Sequence, residues 1–416
     1  MTADREIAGL WWLPETPDNK WLGNLVLQAD KSPRLEFTGQ RGFDEHTPDT
    51  PEVMHGCDQH GNPISLFCLS RSVGSRSAVL SQMIYTAGYA ILGIELPNAG
   101  AFQVHSLILY MQHLYEWVNT SGFNWRESPT ESSLSYRRPH MLSFTLDNDL
   151  VVEICPHFSM RRGREWQLEE DTCVRFNSRK GLGIAECRTL LNAFRSLVHF
   201  AVYRPVYPLQ VLCTKEGYGI GEGGQYYPHT LELCWALNRK RTDSVWRDDH
   251  WVFRFSDVQP RFAEFLAQWL RYEKQYDEAL RCYLATIYHS LPPTIVHLCL
   301  TQALEAYHGI RFHSYKLQAF ERKMRELAEM NGAQLHGIVD NPVEFASTVC
   351  DTRNYYTHHN PKWQAGGRVA SGANLMRMNE KLRMVFQMCV LADNGIPRSR
   401  FDYLRNQLAT QIIDYL

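Results

Sequence analysis

Arg353, Asn354 and His358 stand out as residues whose types could act together on one reacting group, in the run Asp351-Thr352-Arg353-Asn354-Tyr355-Tyr356-Thr357-His358-His359-Asn360-Pro361. A guanidinium is a permanently charged fork of donors, an amide both donates and accepts, and an imidazole titrates near neutral pH. That set suits work on a phosphodiester, with the arginine holding the phosphate and the histidine moving protons. Residues four apart are neighbours on a helix surface, whereas residues five apart diverge by roughly 140° at about 3.6 residues per turn. Asn354 and His358 are therefore expected to meet directly, with Arg353 beside them through its long side chain. His359, one residue further on, is the alternative histidine.

A helix must position these groups. Asn341 reads as its N-cap, Pro342 as its first residue and Glu344 as the carboxylate of a capping box. Asn360-Pro361 should end it, because proline disfavours helical geometry in the residue before it. Phe345, Val349, Thr352 and Tyr356 recur at helical spacing and should face a core. The plainer alternative is a solvated helix end, where a histidine also interacts favourably with the helix dipole. Asp351 is the close carboxylate near Arg353 in sequence, so neither a metal nor another cofactor is expected there.

The Arg353-Asn354-x-x-x-His358 pattern resembles the Arg-x(4–6)-His signature of the HEPN superfamily, which includes many metal-independent ribonucleases. The opening Gly9-Leu10-Trp11-Trp12-Leu13-Pro14, with Gly23-Asn24-Leu25 after it, is similar to the N-terminal domain of the ApeA family of antiphage HEPN proteins. These resemblances imply an RNA endonuclease of bacterial defence acting by abortive infection, with transfer RNA as a substrate by family analogy. They also imply a homodimer through the helical domain and a phage-derived trigger at the N-terminal region. In the implied reaction the RNA 2′-OH attacks the adjacent phosphate, His358 moves a proton, Arg353 stabilises the developing charge and Asn354 orients one of them. A catalytically inert HEPN module that binds RNA or a partner is the first rival. A HEPN toxin of a toxin–antitoxin pair is the second, disfavoured by Asn360 where such toxins often carry tyrosine.

The 416 residues can form two or three domains with substantial cores. A formal net charge of −2 gives no global sign of nucleic-acid affinity, so any RNA contact must come from a local patch. Eleven cysteines without a Cys-x-x-Cys pair fit free thiols in a reducing cytoplasm. Neither a signal-peptide core nor a run of roughly 20 apolar residues is present, so a cytoplasmic protein with no membrane span is expected.

The fold class expected is α+β, with a β-rich region over 1–256, in one or two parts, and a HEPN-like helical bundle over 257–416. Short segments such as Leu25-Val26-Leu27, Arg34-Leu35-Glu36-Phe37 and Ile64-Ser65-Leu66-Phe67 read as strands of a sandwich or barrel-like sheet. Asp58 to Pro63 reads as a hairpin turn, and 120–139 as a polar, mobile loop. Further strands are expected at Leu150–Ile154, Thr172–Phe176, Leu209–Cys213 and Thr230–Cys234, with one amphipathic helix from about Ile184 to Val202. Beyond Asp257, apolar stripes predict a succession of helices with short turns.

Other motifs have plainer readings. His46, His55, Cys57 and His60 are close in sequence but fit no recurring metal spacing, and a turn-rich loop explains them better. The glycine-rich Gly217–Gly224 stretch lacks a P-loop Lys-Ser/Thr and reads as a flexible loop. Arg161, Arg162 and Arg164 near Trp166 could track a phosphate backbone, although a solvated loop is simpler. Lys316, Arg322, Lys323 and Arg325, interleaved with Glu321 and Glu326, mark a solvent face. Trp11 and Trp12 read as packing residues.

Overall fold

The computed structural model describes residues 4–28, 31–40, 48–72, 80–146, 149–162, 166–222, 225–236, 251–313, 319–359, 363–364, 367–397 and 399–404. His46, Arg164, Lys316, Asn360, Pro361, Leu408 and Ile412 therefore lie outside the described residues. The chain divides into two compact units, one of residues 1–195 and 206–244, the other of 196–205 and 245–416. Compared with a cut after residue 256, the helical unit also takes 196–205 and 245–256.

The first unit is β-rich, as the sequence implied. Strands β1 (Arg5–Trp12), β2 (Trp21–Leu27), β3 (Arg34–Gln40), β4 (Val53–Asp58), β5 (Pro63–Ser72) and β6 (Leu80–Leu92) pair antiparallel in the order β6-β3-β2-β1-β4-β5, and β5 pairs back onto β6. The ring is closed, so this is a six-stranded barrel. Alternation along the strands sends Trp11, Leu25, Leu35, Phe37, Met54, Leu66 and Tyr85 inward, all with no exposed surface. The Trp11 indole donates to the Gly23 carbonyl at 3.1 Å, and its ring lies against Gly56, where a methyl group would overlap it. Trp12 is also buried, under the Lys20 ammonium at 4.6 Å.

Over Tyr89–Leu92, strand β6 keeps β5 on one edge and takes β14 on the edge that β3 occupies over Leu80–Thr86, so it belongs to a second, open sheet as well. After β7 (Val104–Met111) and α1 (Leu114–Val118) come β8 (Phe123–Glu127), β9 (Ser132–Tyr136), β10 (Leu142–Thr145), β11 (Leu150–Arg162) and β12 (Trp166–Leu182). Helix α2 (Ile184–Val202), β13 (Pro208–Glu222) and β14 (Gln225–Trp235) follow, and the open sheet runs β10-β11-β12-β7-β13-β14-β6. Phe194 of α2 packs edge-on to Phe176 of β12 at 5.8 Å and to Trp117 of α1 at 6.5 Å. The expected loop over 120–139 is instead the β8–β9 hairpin. Serines dilute its alternation, and it is anchored from outside its own sequence. Glu170 accepts from Ser121 Oγ at 2.7 Å and the Gly122 N–H at 2.6 Å, while Tyr136 stacks on Phe158 at 4.2 Å. The glycine-rich stretch also differs from expectation, since Gly217, Gly219 and Gly221 lie within β13. Gly217 has φ 71° where the β13–β14 register shifts, so a bulge, rather than a loop, uses its freedom.

The second unit contains helices α3 (Phe255–Val258), α4 (Phe262–Gln275), α5 (Asp277–Tyr288), α6 (Pro293–Phe312), α7 (Phe320–Met330), α8 (Pro342–His358) and α9 (Gly372–Asp393). Aromatic rings fill its core: Phe386 of α9 stacks on Tyr283 of α5 at 4.7 Å and meets Tyr307 of α6 edge-on at 6.2 Å. Phe200, from the 196–205 segment, lies 5.7 Å from Trp269 and 5.5 Å from Tyr283. A buried polar link joins α6 to α9. His297 Nδ1 of α6 bonds Asn379 Oδ1 of α9 at 3.0 Å, and Asn379 Nδ2 donates to the Pro293 carbonyl at 2.8 Å. Burial favours the neutral imidazole and pushes His297 down to about 4.

Candidate functional site at the end of α8

Local sequence sets both ends of α8. The Glu344 N–H donates to Asn341 Oδ1 at 3.1 Å, and Asn341 Nδ2 donates to Glu344 Oε2 at 3.3 Å, with Pro342 in the first turn. At the other end His359 turns left-handed at φ 50°, and its N–H closes on the Tyr355 carbonyl at 2.6 Å. The helix thus ends at His358, with His359 as its cap. Phe345, Val349 and Thr352 are buried as their spacing implied. Tyr356 is only half-buried, and its hydroxyl donates to the Ala370 carbonyl at 3.0 Å. Thr352 Oγ1 accepts from the Ala370 N–H at 3.0 Å, so two α8 side chains fix the segment that leads to α9.

Arg353 is half-buried and held from three directions. Its guanidinium lies 5.1 Å over the Phe320 ring of α7, donates to Asn354 Oδ1 at 3.2 Å, and approaches Glu305 Oε2 of α6 at 3.8 Å. Glu305 also accepts from Lys323 Nζ of α7 at 3.0 Å, and that ammonium is almost fully enclosed. Spacing had pointed to Asp351 as the nearby carboxylate, but Asp351 pairs with Arg368 at 2.7 Å. Lys323 likewise is not on a solvent face. The signals missed were Glu305 and Phe320, which adjoin Arg353 only through tertiary packing of α6, α7 and α8. A groove of about 580 Å³ runs alongside, lined by Arg281, Gln302, Glu305 and Lys323 among others.

Asn354 does not bond to His358 as its register suggested. Its Nδ2 donates to Cys350 Sγ at 3.5 Å while its Oδ1 receives Arg353. The physical reason is the tilt of helical side chains toward the N-terminus, which carries Asn354 back over the preceding turn. Burial pushes the Cys350 thiol up, so it stays neutral beneath the amide. His358 is exposed, with its ring 6.0 Å from that of Trp363, whereas the exposed His359 sits 6.1 Å from Tyr355. The arrangement is therefore a braced guanidinium–amide pair with a solvent-facing imidazole one turn further along.

The histidines His55 and His60 have structural places. His55 is buried in β4, with Nε2 2.8 Å from the Leu96 carbonyl and Nδ1 3.2 Å from Glu95, not in a turn-rich loop. His60 lies in the β4–β5 turn, where Asp58 Oδ1 accepts from the His60 and Asn62 N–H groups. Among the described residues no group of three or more His, Cys, Asp or Glu side chains has metal-holding geometry, and no helix is long and apolar enough to cross a membrane.

Comparison with known proteins finds two family models that match the chain in succession. No curated protein and no solved structure matches it. The model of ApeA N-terminal domain 1 matches residues 6–269, and that of the Apea-like HEPN domain matches 309–400, which contains α7, α8 and α9. With a barrel-bearing N-terminal unit, a helical unit that carries the Arg-x(4)-His pair and family models matching both, the chain belongs to the ApeA family of HEPN proteins.

Proposed function

We propose that this protein is a metal-independent endoribonuclease of bacterial antiphage defence that acts by abortive infection. The observation that carries the reading is the braced Arg353 guanidinium beside Asn354, one turn before the exposed His358. The family match supports a HEPN-type defence role. In the reaction, the RNA 2′-OH attacks the adjacent phosphorus, His358 moves a proton, and Arg353 stabilises charge on the phosphorane oxygens. Asn354 positions Arg353 rather than His358, in keeping with its bond. Transfer RNA is the substrate class. The protein acts as a cytoplasmic homodimer through its helical unit, and the N-terminal region receives a phage-derived trigger.

The test is cleavage of RNA, and of the same RNA with one 2′-deoxy sugar at the cut, with and without a chelator. Extract from infected cells is included to supply any trigger. Cleavage should survive chelation, fail at the deoxy position and leave a 2′,3′-cyclic phosphate and a 5′-hydroxyl. Loss of cleavage with chelator, or equal cutting of DNA, overturns the mechanism. No cleavage in any tube favours an inert RNA- or partner-binding module.

A further inference from the structure

Cys155 and Cys173 are paired directly across β11 and β12, and Tyr110 of β7 faces Cys173 from the other side. Directly opposed residues share one face of a sheet, so the three side chains form a row across three strands. That face is the outer one, because Val152 and Ile154 of β11 and Val174 and Phe176 of β12 alternate with the row and are buried on the opposite side. Cys155 is half-buried, and Cys173 lies beneath its neighbours at 4% exposure. Arg138, which donates to the Pro156 carbonyl at 3.3 Å, and Arg175, which pairs with Glu153 at 3.3 Å, bring positive charge beside the Cys155 sulfur. The Cys173 thiol hydrogen-bonds that sulfur. This bond, with the two arginines, holds Cys155 below the usual thiol range despite burial, while the same bond and burial push Cys173 up. One sulfur is thus prepared as a nucleophile and the other as a proton-bearing partner.

We propose that Cys155 and Cys173 form a peroxide-reactive dithiol that closes to a cross-strand disulfide. A hydroperoxide is small enough to reach a half-buried sulfur, and it supplies the oxidising equivalents. The Cys155 thiolate attacks a peroxide oxygen, the O–O bond breaks, and the hydroxide or alkoxide leaves with a proton from water, giving a sulfenic acid. The Cys173 sulfur then attacks the Cys155 sulfur. An S–S bond forms, the S–O bond breaks, and the leaving hydroxyl departs as water with the Cys173 proton. Opposed residues of an antiparallel pair have Cα atoms about 4.5 to 5.5 Å apart, inside the range of about 4.4 to 6.8 Å that disulfides span. The strands need not separate.

The experiment treats the full chain with hydrogen peroxide, blocks remaining thiols under denaturing conditions and maps peptides by mass spectrometry. Expected is a Cys155–Cys173 linked pair lighter by two hydrogens, restored by dithiothreitol and lost in both Cys155→Ser and Cys173→Ser. In Cys173→Ser, Cys155 should instead be trapped by dimedone as a sulfenic acid and then pass to the sulfinic state. The exposed Cys68 provides a comparison within the same chain. If Cys68 oxidises while Cys155 and Cys173 stay free, the proposal is overturned. It is equally overturned if Cys155 of the unaltered chain reaches the sulfinic state as fast as in Cys173→Ser. None of these readouts involves RNA, so they are independent of the proposed nuclease activity.

Discussion

At the scale of single residues, the candidate site depends on groups that differ in how firmly they are held. Arg353→Ala and His358→Ala should each lower RNA cleavage by about 100-fold or more, since proton transfer and charge stabilisation each contribute on that order. His358→Ala should keep the thermal midpoint of the parent, because His358 is exposed, whereas Arg353→Ala gives up the contacts with Phe320 and Glu305 and should lower it modestly while the protein stays folded. Full activity in both folded variants would remove the assignment. Asn354→Ala should cost about tenfold, near 1.4 kcal/mol, because it braces the arginine rather than meeting the phosphate. Glu305→Ala is expected to act on stability as well, since it leaves the enclosed Lys323 ammonium without its carboxylate. Breaking a buried pair costs about 3 kcal/mol or more. The double variant Glu305→Ala/Lys323→Met should recover most of that loss in chemical denaturation, and failure to recover would show that Glu305 acts through Arg353 instead. The Arg353, Asn354 and His358 set was legible because it lies within two turns of one helix. Glu305 and Phe320 were not, since their relation to Arg353 exists only once α6, α7 and α8 have packed.

Elements show the same contrast between local and distant information. The bounds of α2 and the N-terminus of α8 could be read from apolar spacing and from the Asn341-Pro342-x-Glu344 cap. The β8–β9 hairpin and the glycine-rich end of β13 read as loops in the sequence, although Leu209–Cys213 earlier in β13 reads as a strand, because Glu170 and a register bulge settle them and neither is visible in a short window. Barrel packing yields a test at Gly56. Gly56→Ala drives a methyl group into the fully buried Trp11 ring. Overpacking of this kind costs about 1 to 3 kcal/mol, readable in denaturant midpoint. In the bundle, His297 links pH to stability. Its folded value of about 4 lies below the ordinary 6.5. Between those limits the unfolded chain binds a proton that the folded chain refuses, so stability present above pH 6.5 is lost as pH falls toward 4, by about 3 kcal/mol at most. His297→Gln should flatten the dependence of thermal midpoint on pH across that window, and an unchanged slope would transfer the effect to other groups.

For the whole molecule, the division into a β-rich and a helical unit was legible from the change in texture near Asp257, but the contribution of 196–205 and 245–256 was not. Those segments carry Phe200, Val252 and Phe253 into the helical core, and Arg400 donates to the Val252 and Trp251 carbonyls at 2.8 and 2.7 Å. A fragment of residues 257–416 should therefore lack cooperative unfolding and near-ultraviolet dichroism, and a sharp transition in that fragment would refute the prediction. The proposed homodimer has its own test. Mixing an Arg353→Ala chain with a His358→Ala chain should partly restore cleavage if residues from both protomers serve one site, and no recovery would confine the site to one chain. The closed barrel carries a further consequence, for the order in which the protein is made. Every strand of the ring lies between Arg5 and Leu92, so nascent chain can close it before the remaining strands leave the ribosome. The β6–β14 seam, which joins Leu92 to Glu232, must wait for a far longer stretch of synthesis and close a much larger loop. Until that seam forms, Tyr89–Leu92 of β6, held by β5 along one edge, leaves its other edge as an unpaired template on a finished barrel, and this is the interval in which a chaperone would have most to protect.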